Sequence, residues 1–160
     1  MSTLGNVIWF VFGGWLAGLS WLIVAVLCHL SVVGIPFGIA CWRIAQFAFF
    51  PFGKELIDAR ILGEKPSAVT FLGRVLWIVL AGFWIMLAEG VAAVMTLASC
   101  IFVIPIFLGA PLFAVGHAKL AMAALDPLGK RVVSSDFAKV ARERHYQALM
   151  DKKLSRPHSR

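Results

Sequence analysis

Residues 7–30 read VIWFVFGGWLAGLSWLIVAVLCHL, with no formal charge among them. At 1.5 Å per residue this run makes a helix roughly 36 Å long, enough to cross a hydrocarbon core about 30 Å thick with some tilt. It is longer than a signal-peptide core and lacks a clean small-x-small cleavage site after it, so it reads as a retained membrane helix. A second such run, Val75 to Leu97, is interrupted only by Glu89. Shorter apolar stretches follow each. Phe37 to Phe50 comes after a turn containing Ser31, Gly34 and Pro36; the second, from Ala98 towards Leu125, is broken by Pro105, Gly109 and Pro111. Pro36 suits the first turn of a helix, where its missing N–H would have no partner anyway. These second arms are short for a span, so crossing and re-entrant geometries both remain open.

Composition agrees with insertion. Of 160 residues, 61% are hydrophobic and 14% charged. Soluble domains average about 45–50% apolar and about 25% charged residues, and a small soluble fold could not hide the excess. The net charge of +7 does not indicate nucleic-acid binding, because the basic residues flank the apolar runs and form no recognition motif. Attraction to anionic lipid headgroups explains them. Cys28, Cys41 and Cys100 lie inside apolar runs, match no zinc spacing and read as small buried hydrophobes.

The two halves repeat. Gly5-Asn6-Val7-Ile8-Trp9 matches Gly73-Arg74-Val75-Leu76-Trp77, and Gly14-Trp15 matches Gly82-Phe83. Pro51-Phe52-Gly53-Lys54 matches Pro127-Leu128-Gly129-Lys130. Gly34-Ile35-Pro36 matches Gly109-Ala110-Pro111, with Pro105 as a competing partner. Each unit runs long helix, breaker, shorter helix, then Pro-x-Gly-Lys. Of fifteen Lys and Arg, four lie in the middle loop (Lys54, Arg60, Lys65, Arg74) and nine follow Pro127. The positive-inside rule therefore puts both termini and that loop in the cytoplasm. The expected fold is all-α, with a membrane domain over 1–133. Its two tandem related hairpins, 5–57 and 73–133, give about four membrane segments joined by a cytoplasmic loop. Ser134-Ser135-Asp136 offers N-cap chemistry for a cytoplasmic amphipathic helix over 134–154, resting on the membrane or a neighbouring subunit. Residues 155–160 read as a disordered tail.

The run Gly34-Ile-Pro-Phe-Gly-Ile-Ala-Cys-Trp-Arg43, with Pro51-Phe52-Gly53-Lys54-Glu55 and the string Pro127 to Ser134, resembles the YccF-type family of bacterial inner-membrane proteins. The resemblance extends from about Gly5 to Glu143. It implies a small multi-pass protein of the bacterial inner membrane and no particular chemistry. Two features depart from the family pattern: an expanded second turn, Ile101 to Pro111, and Asp126 in place of an aromatic residue before Pro127.

No nucleophile elbow, phosphate loop, metal motif or cofactor fingerprint is present, so the chain does not read as an enzyme. Glu89 is the most informative residue. A charge at mid-bilayer costs about 2.5–3.5 kcal/mol on insertion scales, and such residues usually face a bundle interior and a partner. It is either a pore-lining, ion- or proton-binding carboxylate or a structural one, protonated or paired. Arg43 is the natural partner and Lys119 the alternative, but snorkelling of Arg43 to the cytoplasmic headgroups is the preferred reading over pairing. Gly14-x-x-x-Gly18 permits close helix contact. Gly34-x-x-x-Gly38 serves the turn. Trp9 and Trp77 suit the interface; isolated His29 and His117 could titrate or coordinate. Four thin helices leave much apolar surface, which favours a homo-oligomer. The expected role is a small channel or transporter, or else an accessory protein recruiting partners through its basic tail.

Overall fold

The two long apolar runs become two long helical stretches, Thr3–His29 and Phe71–Ile101, each long and apolar enough to cross a membrane. The computed structural model describes residues 2–65, 68–102 and 109–155, so Pro105 and residues 156–160 lie outside the described residues. The first stretch comprises α1 (Ser2–Trp9), a kinked segment (Phe10–Gly14) and α2 (Trp15–His29). α3 (Ile35–Phe49) follows, then β1 (Lys54–Asp58) and a 3₁₀ turn (Ala59–Leu62). The second stretch comprises α4 (Ala68–Trp77), a π-helical turn (Ile78–Gly82), α5 (Phe83–Ala98) and a 3₁₀ turn (Ser99–Ile101). α6 (Ala110–Leu125), β2 (Lys130–Ser134) and α7 (Ser135–Leu154) complete the chain.

α2 packs along α3, and α5 packs along α6. The turn into α3 is tight: a side chain at Gly34 would overlap the Cys28 carbonyl, and Pro36 occupies the first helical turn. Before α6, Gly109 takes the left-handed conformation (φ 84°) and Pro111 sits in the first turn. The paired arms match in length, 15 residues against 15 and 16 against 16. Each paired section is therefore about 22–24 Å long, short of a core about 30 Å thick.

The second arms are the buried ones. α3 buries Ala40, Cys41, Ile44, Ala45, Phe47 and Ala48; α6 buries Ala114, Leu120, Ala121, Ala123 and Ala124. Small side chains let these backbones approach closely, the usual source of packing where lipid removes the hydrophobic drive between helices. The first arms turn most of their apolar surface outward.

One part of the all-α expectation needs correcting. β1 and β2 form a two-stranded antiparallel ribbon, with Leu56 opposite Val132 at its centre, Lys54 opposite Ser134 and Asp58 opposite Lys130. The ribbon is closed at both ends by equivalent bonds. The Ala59 N–H donates to the Gly129 carbonyl at 2.8 Å, and the Ser135 N–H donates to the Gly53 carbonyl at 3.1 Å. Each strand runs into an N-cap: Asp58 Oδ1 accepts from the Arg60 N–H, and Ser134 Oγ from the Phe137 N–H. α7 then turns Ala138 inward, leaving Phe137, Val140 and Leu149 exposed.

Candidate functional site

Two tryptophans fix where the arms meet. The Trp9 indole N–H donates to the Ala48 carbonyl, and the Trp77 indole N–H to the Ala124 carbonyl, each at 2.7 Å. The last carbonyls of a helix have no partner within it. In α3 this is concrete, because the Phe52 N–H donates to Asn6 Oδ1 and not to Ala48. Each indole lies over the segment that follows it, so a side chain at Gly14 would overlap Trp9 and one at Gly82 would overlap Trp77. In the first of these segments Gly13 leaves helical geometry altogether (φ 145°), which bends α1 away from α2.

Asn6 also donates through Nδ2 to the Phe52 carbonyl at 3.0 Å, clamping α1 to the Pro51 turn. At the equivalent place in the second half, Arg74 Nε donates to Asp126 Oδ1 at 2.9 Å, with a further contact to Oδ2 at 2.8 Å. Asp126, the departure from the family pattern, thus has its own counterpart in Arg74, and it also accepts from the Gly129 N–H.

A contact between ionisable side chains joins α5 to α6. Glu89 is 8% exposed, the one buried charged residue among those described, and its Oε2 lies 2.7 Å from His117 Nδ1. Trp9 covers the His117 ring at 5.1 Å between centroids. A contact this short requires a proton between the two atoms, on imidazole or on carboxyl. A cavity of about 410 Å³ opens beside the pair, walled by α2 residues such as Leu16, Ala17 and Trp21 and by Ile85, Ala88 and Ala92 of α5. Trp21 is 1% exposed and its indole N–H has no partner among the described residues.

The partner of Glu89 is therefore neither Arg43 nor Lys119. Lys119 stands at a similar depth to His117 but on the exposed side of α6. The buried Arg43 Nε has no hydrogen-bond partner among the described residues. Arg43 also lines a second groove with Val26, His29, Ile39 and Trp42. Gly14 and Gly18 admit rings and not a neighbouring backbone, the latter facing Phe49. Gly38 is a close approach to α2, against Ala25 and His29, beyond its expected part in the turn. In the closing motifs, Pro51 and Pro127 accept from the backbone N–H of Lys54 and Lys130, and the Lys130 ammonium lies 4.0 Å from Asp58.

Ion pairs tie the ribbon layer together: Arg60 with Asp58, Arg131 with Glu64 at 2.8 Å, and Arg142 of α7 with Glu55 of β1. The Arg60 guanidinium, bonded to both Asp58 oxygens, holds that carboxyl well below its usual range; the nearby Lys130 adds to the effect. Among the described residues no cluster of three or more His, Cys, Asp or Glu could hold a metal ion.

Over residues 4–54 the chain matches the YccF family, described as an inner membrane component domain. It is 30% identical over 148 residues to inner membrane protein YccF of Escherichia coli (strain K12), a match covering 89% of this chain and 95% of that relative. Inner membrane protein YccF of Shigella flexneri matches with the same figures. Neither name assigns an enzymatic activity. No solved structure matches significantly.

Proposed function

The chain belongs to the YccF family of inner-membrane proteins, and from that premise we propose that it is a multi-pass transport protein whose solute path runs past Glu89 and His117. In this reading the chain forms two tandem related hairpins in the bacterial inner membrane, with both termini and the ribbon in the cytoplasm. The recurrence of the indole–carbonyl bond and the capped strand in each half supports the duplication. The excess of basic residues around the ribbon, beyond those paired with Asp58 and Glu64, suits anionic headgroups on that side.

The observation that carries the proposal is the buried Glu89–His117 contact at the edge of a cavity. Ionisable groups inside a membrane are costly and commonly mark ion or substrate paths. A structural tie between α5 and α6 needs no such pair, because apolar residues of similar volume are often as stable or more so. The exposed apolar surface of Phe71–Ile101, only 11% buried over its most apolar window, fits a homo-oligomer as well as lipid contact.

The test is flux in proteoliposomes of purified protein, with Glu89→Gln and His117→Gln compared against wild type. Flux above empty vesicles, lost in both variants, is expected. Wild-type flux equal to empty vesicles would sink the transport reading. One observation favours a second role, that of an accessory protein: α7 keeps Phe137, Val140 and Leu149 exposed. Co-purifying proteins lost on deleting residues 135–154 would then be the signature.

A further inference from the structure

We infer that the cavity beside Glu89 and His117 binds a small organic cation with an apolar body, and that each cation bound releases one proton from the pair. This deepens the reading of that cavity as a solute path and rests on it.

Size is the first argument. The cavity measures about 410 Å³, whereas a water takes about 30 Å³ and ligand pockets run from about 300 to 1,000 Å³. A bare ion would need a succession of polar groups. The walls give it few, since Leu16, Ala17, Val24, Ile85, Ala88 and Ala92 are apolar and the Ser20 hydroxyl donates to the Leu16 carbonyl at 2.8 Å. The polar groups gather at Glu89 and His117. Such walls desolvate an apolar body favourably and leave one site for a charged head.

The sign of that charge follows from the residues present. Among the described lining residues Glu89 is the carboxylate and none is Lys or Arg.

The proton balance follows from the same groups. The titratable groups at the pair are Glu89 from α5 and His117 from α6; α1 presents Trp9, and α2 presents Ser20 and Trp21. An isolated net charge in apolar surroundings is costly, so the resting pair is carboxylate with imidazolium, or its neutral equivalent with the proton on Glu89. A ligand cation replaces that positive charge. The carboxylate pairs with the ammonium, neutral imidazole remains on His117, and the displaced proton leaves to solvent. No bond other than the N–H or O–H is broken, and the site stays net neutral.

The experiment uses the full chain in lipid nanodiscs, titrated calorimetrically with benzyltrimethylammonium in two buffers of different ionisation enthalpy. The uncharged isostere neopentylbenzene is the control. Saturable binding of the cation is expected, with about one proton released and at least about tenfold weaker binding of the isostere. Glu89→Gln should weaken cation binding by about tenfold or more. Ala88→Leu, which fills the cavity and keeps the pair, should also weaken it, so the proposal stays testable if Glu89→Gln misfolds. Equal binding of cation and isostere would mean an apolar groove for lipid tails and would overturn the inference. Binding without proton release, or binding indifferent to both substitutions, would overturn it too. Flux that depends on Glu89 without cation binding would sink this inference alone; cation binding without any flux would sink the transport reading alone.

Discussion

Replacing Gly14 by alanine should change sign with the residue at position 9. Gly14 has ordinary helical angles (φ −57°, ψ −32°), so its backbone accepts any residue. The obstacle is the Trp9 indole, which an added Cβ would overlap, and that indole holds the Ala48 carbonyl at 2.7 Å. Displacing it loses a bond worth about 1 kcal/mol net, and overpacking adds about 1–3 kcal/mol. Alanine returns up to about 1 kcal/mol through helix propensity. Gly14→Ala should therefore destabilise the wild type by about 1–3 kcal/mol, yet stabilise a Trp9→Ala background by up to about 1 kcal/mol. Reversible unfolding in mixed detergent and SDS micelles, followed by circular dichroism, gives all four corners of the cycle. Equal effects in the two backgrounds, within about 0.5 kcal/mol, would refute the reasoning. Position 82 supplies a control. There the added Cβ would meet the Ala124 carbonyl at 2.7 Å as well as Trp77, so Trp77→Ala should rescue Gly82→Ala only in part.

Arg74→Ala should cost about 1–3 kcal/mol in the same assay, since it strands the half-buried Asp126 carboxylate. Combining Arg74→Asn with Asp126→Phe puts the residue types of positions 6 and 50 into the second half, so that the new asparagine can clamp the Leu128 backbone as Asn6 clamps Phe52, and should recover most of that loss; failure of the pair to improve on Arg74→Asn alone would count against the equivalence of the two clamps. Asp58 makes a pH prediction. Its carboxyl is held below the usual 3.8, chiefly by the Arg60 hydrogen bond, so its contribution is present above that value and lost as pH falls through the lowered one. Asp58→Asn should flatten the acid limb below about pH 4 and change stability near pH 7 by no more than about 1 kcal/mol, as the pair is partly exposed. For topology, a cytoplasm-dependent fluorescent reporter after Ser155 should light up, and Val32→Cys in a cysteine-free background should react with impermeant maleimide from the periplasm. The reverse pattern would overturn the orientation.

Much of this was legible in the sequence because membrane insertion is written in long uncharged runs, and the runs were there. The matches of Trp9 with Trp77 and of Gly14 with Gly82 could be seen, but not their meaning. They are two halves of one contact, a ring and the space it occupies. The ribbon was not legible. Lys-Glu-Leu-Ile-Asp has no alternation of apolar and polar residues, and its pairing partner is in the other half of the chain. For Glu89, sequence gave the residue and missed the partner. Counting back from the turn places His117 and Lys119 at nearly the same depth, but two residues along a helix are about 200° apart around it. Only one of them can face α5, and hydrophobicity alone does not say which. The choice comes from packing, with Trp9 against the His117 ring.

The ribbon has a further consequence. Its centre pairs Leu56 with Val132, and its closing bonds exchange Gly53 and Ala59 for Gly129 and Ser135, so each half meets the other as it would meet a copy of itself. That is the form of an isologous contact, the kind that makes two-fold dimers. A chain of one hairpin and one strand could close the same ribbon with a second molecule, but every residue would then appear twice. Joining the halves lifts that constraint. Glu89 and His117 can occupy one hairpin while the other keeps Trp21 and Cys41, and Arg74 can meet Asp126 where its counterpart is Asn6. A symmetric scaffold can then carry an acid and a base on one side only, which two identical subunits cannot do.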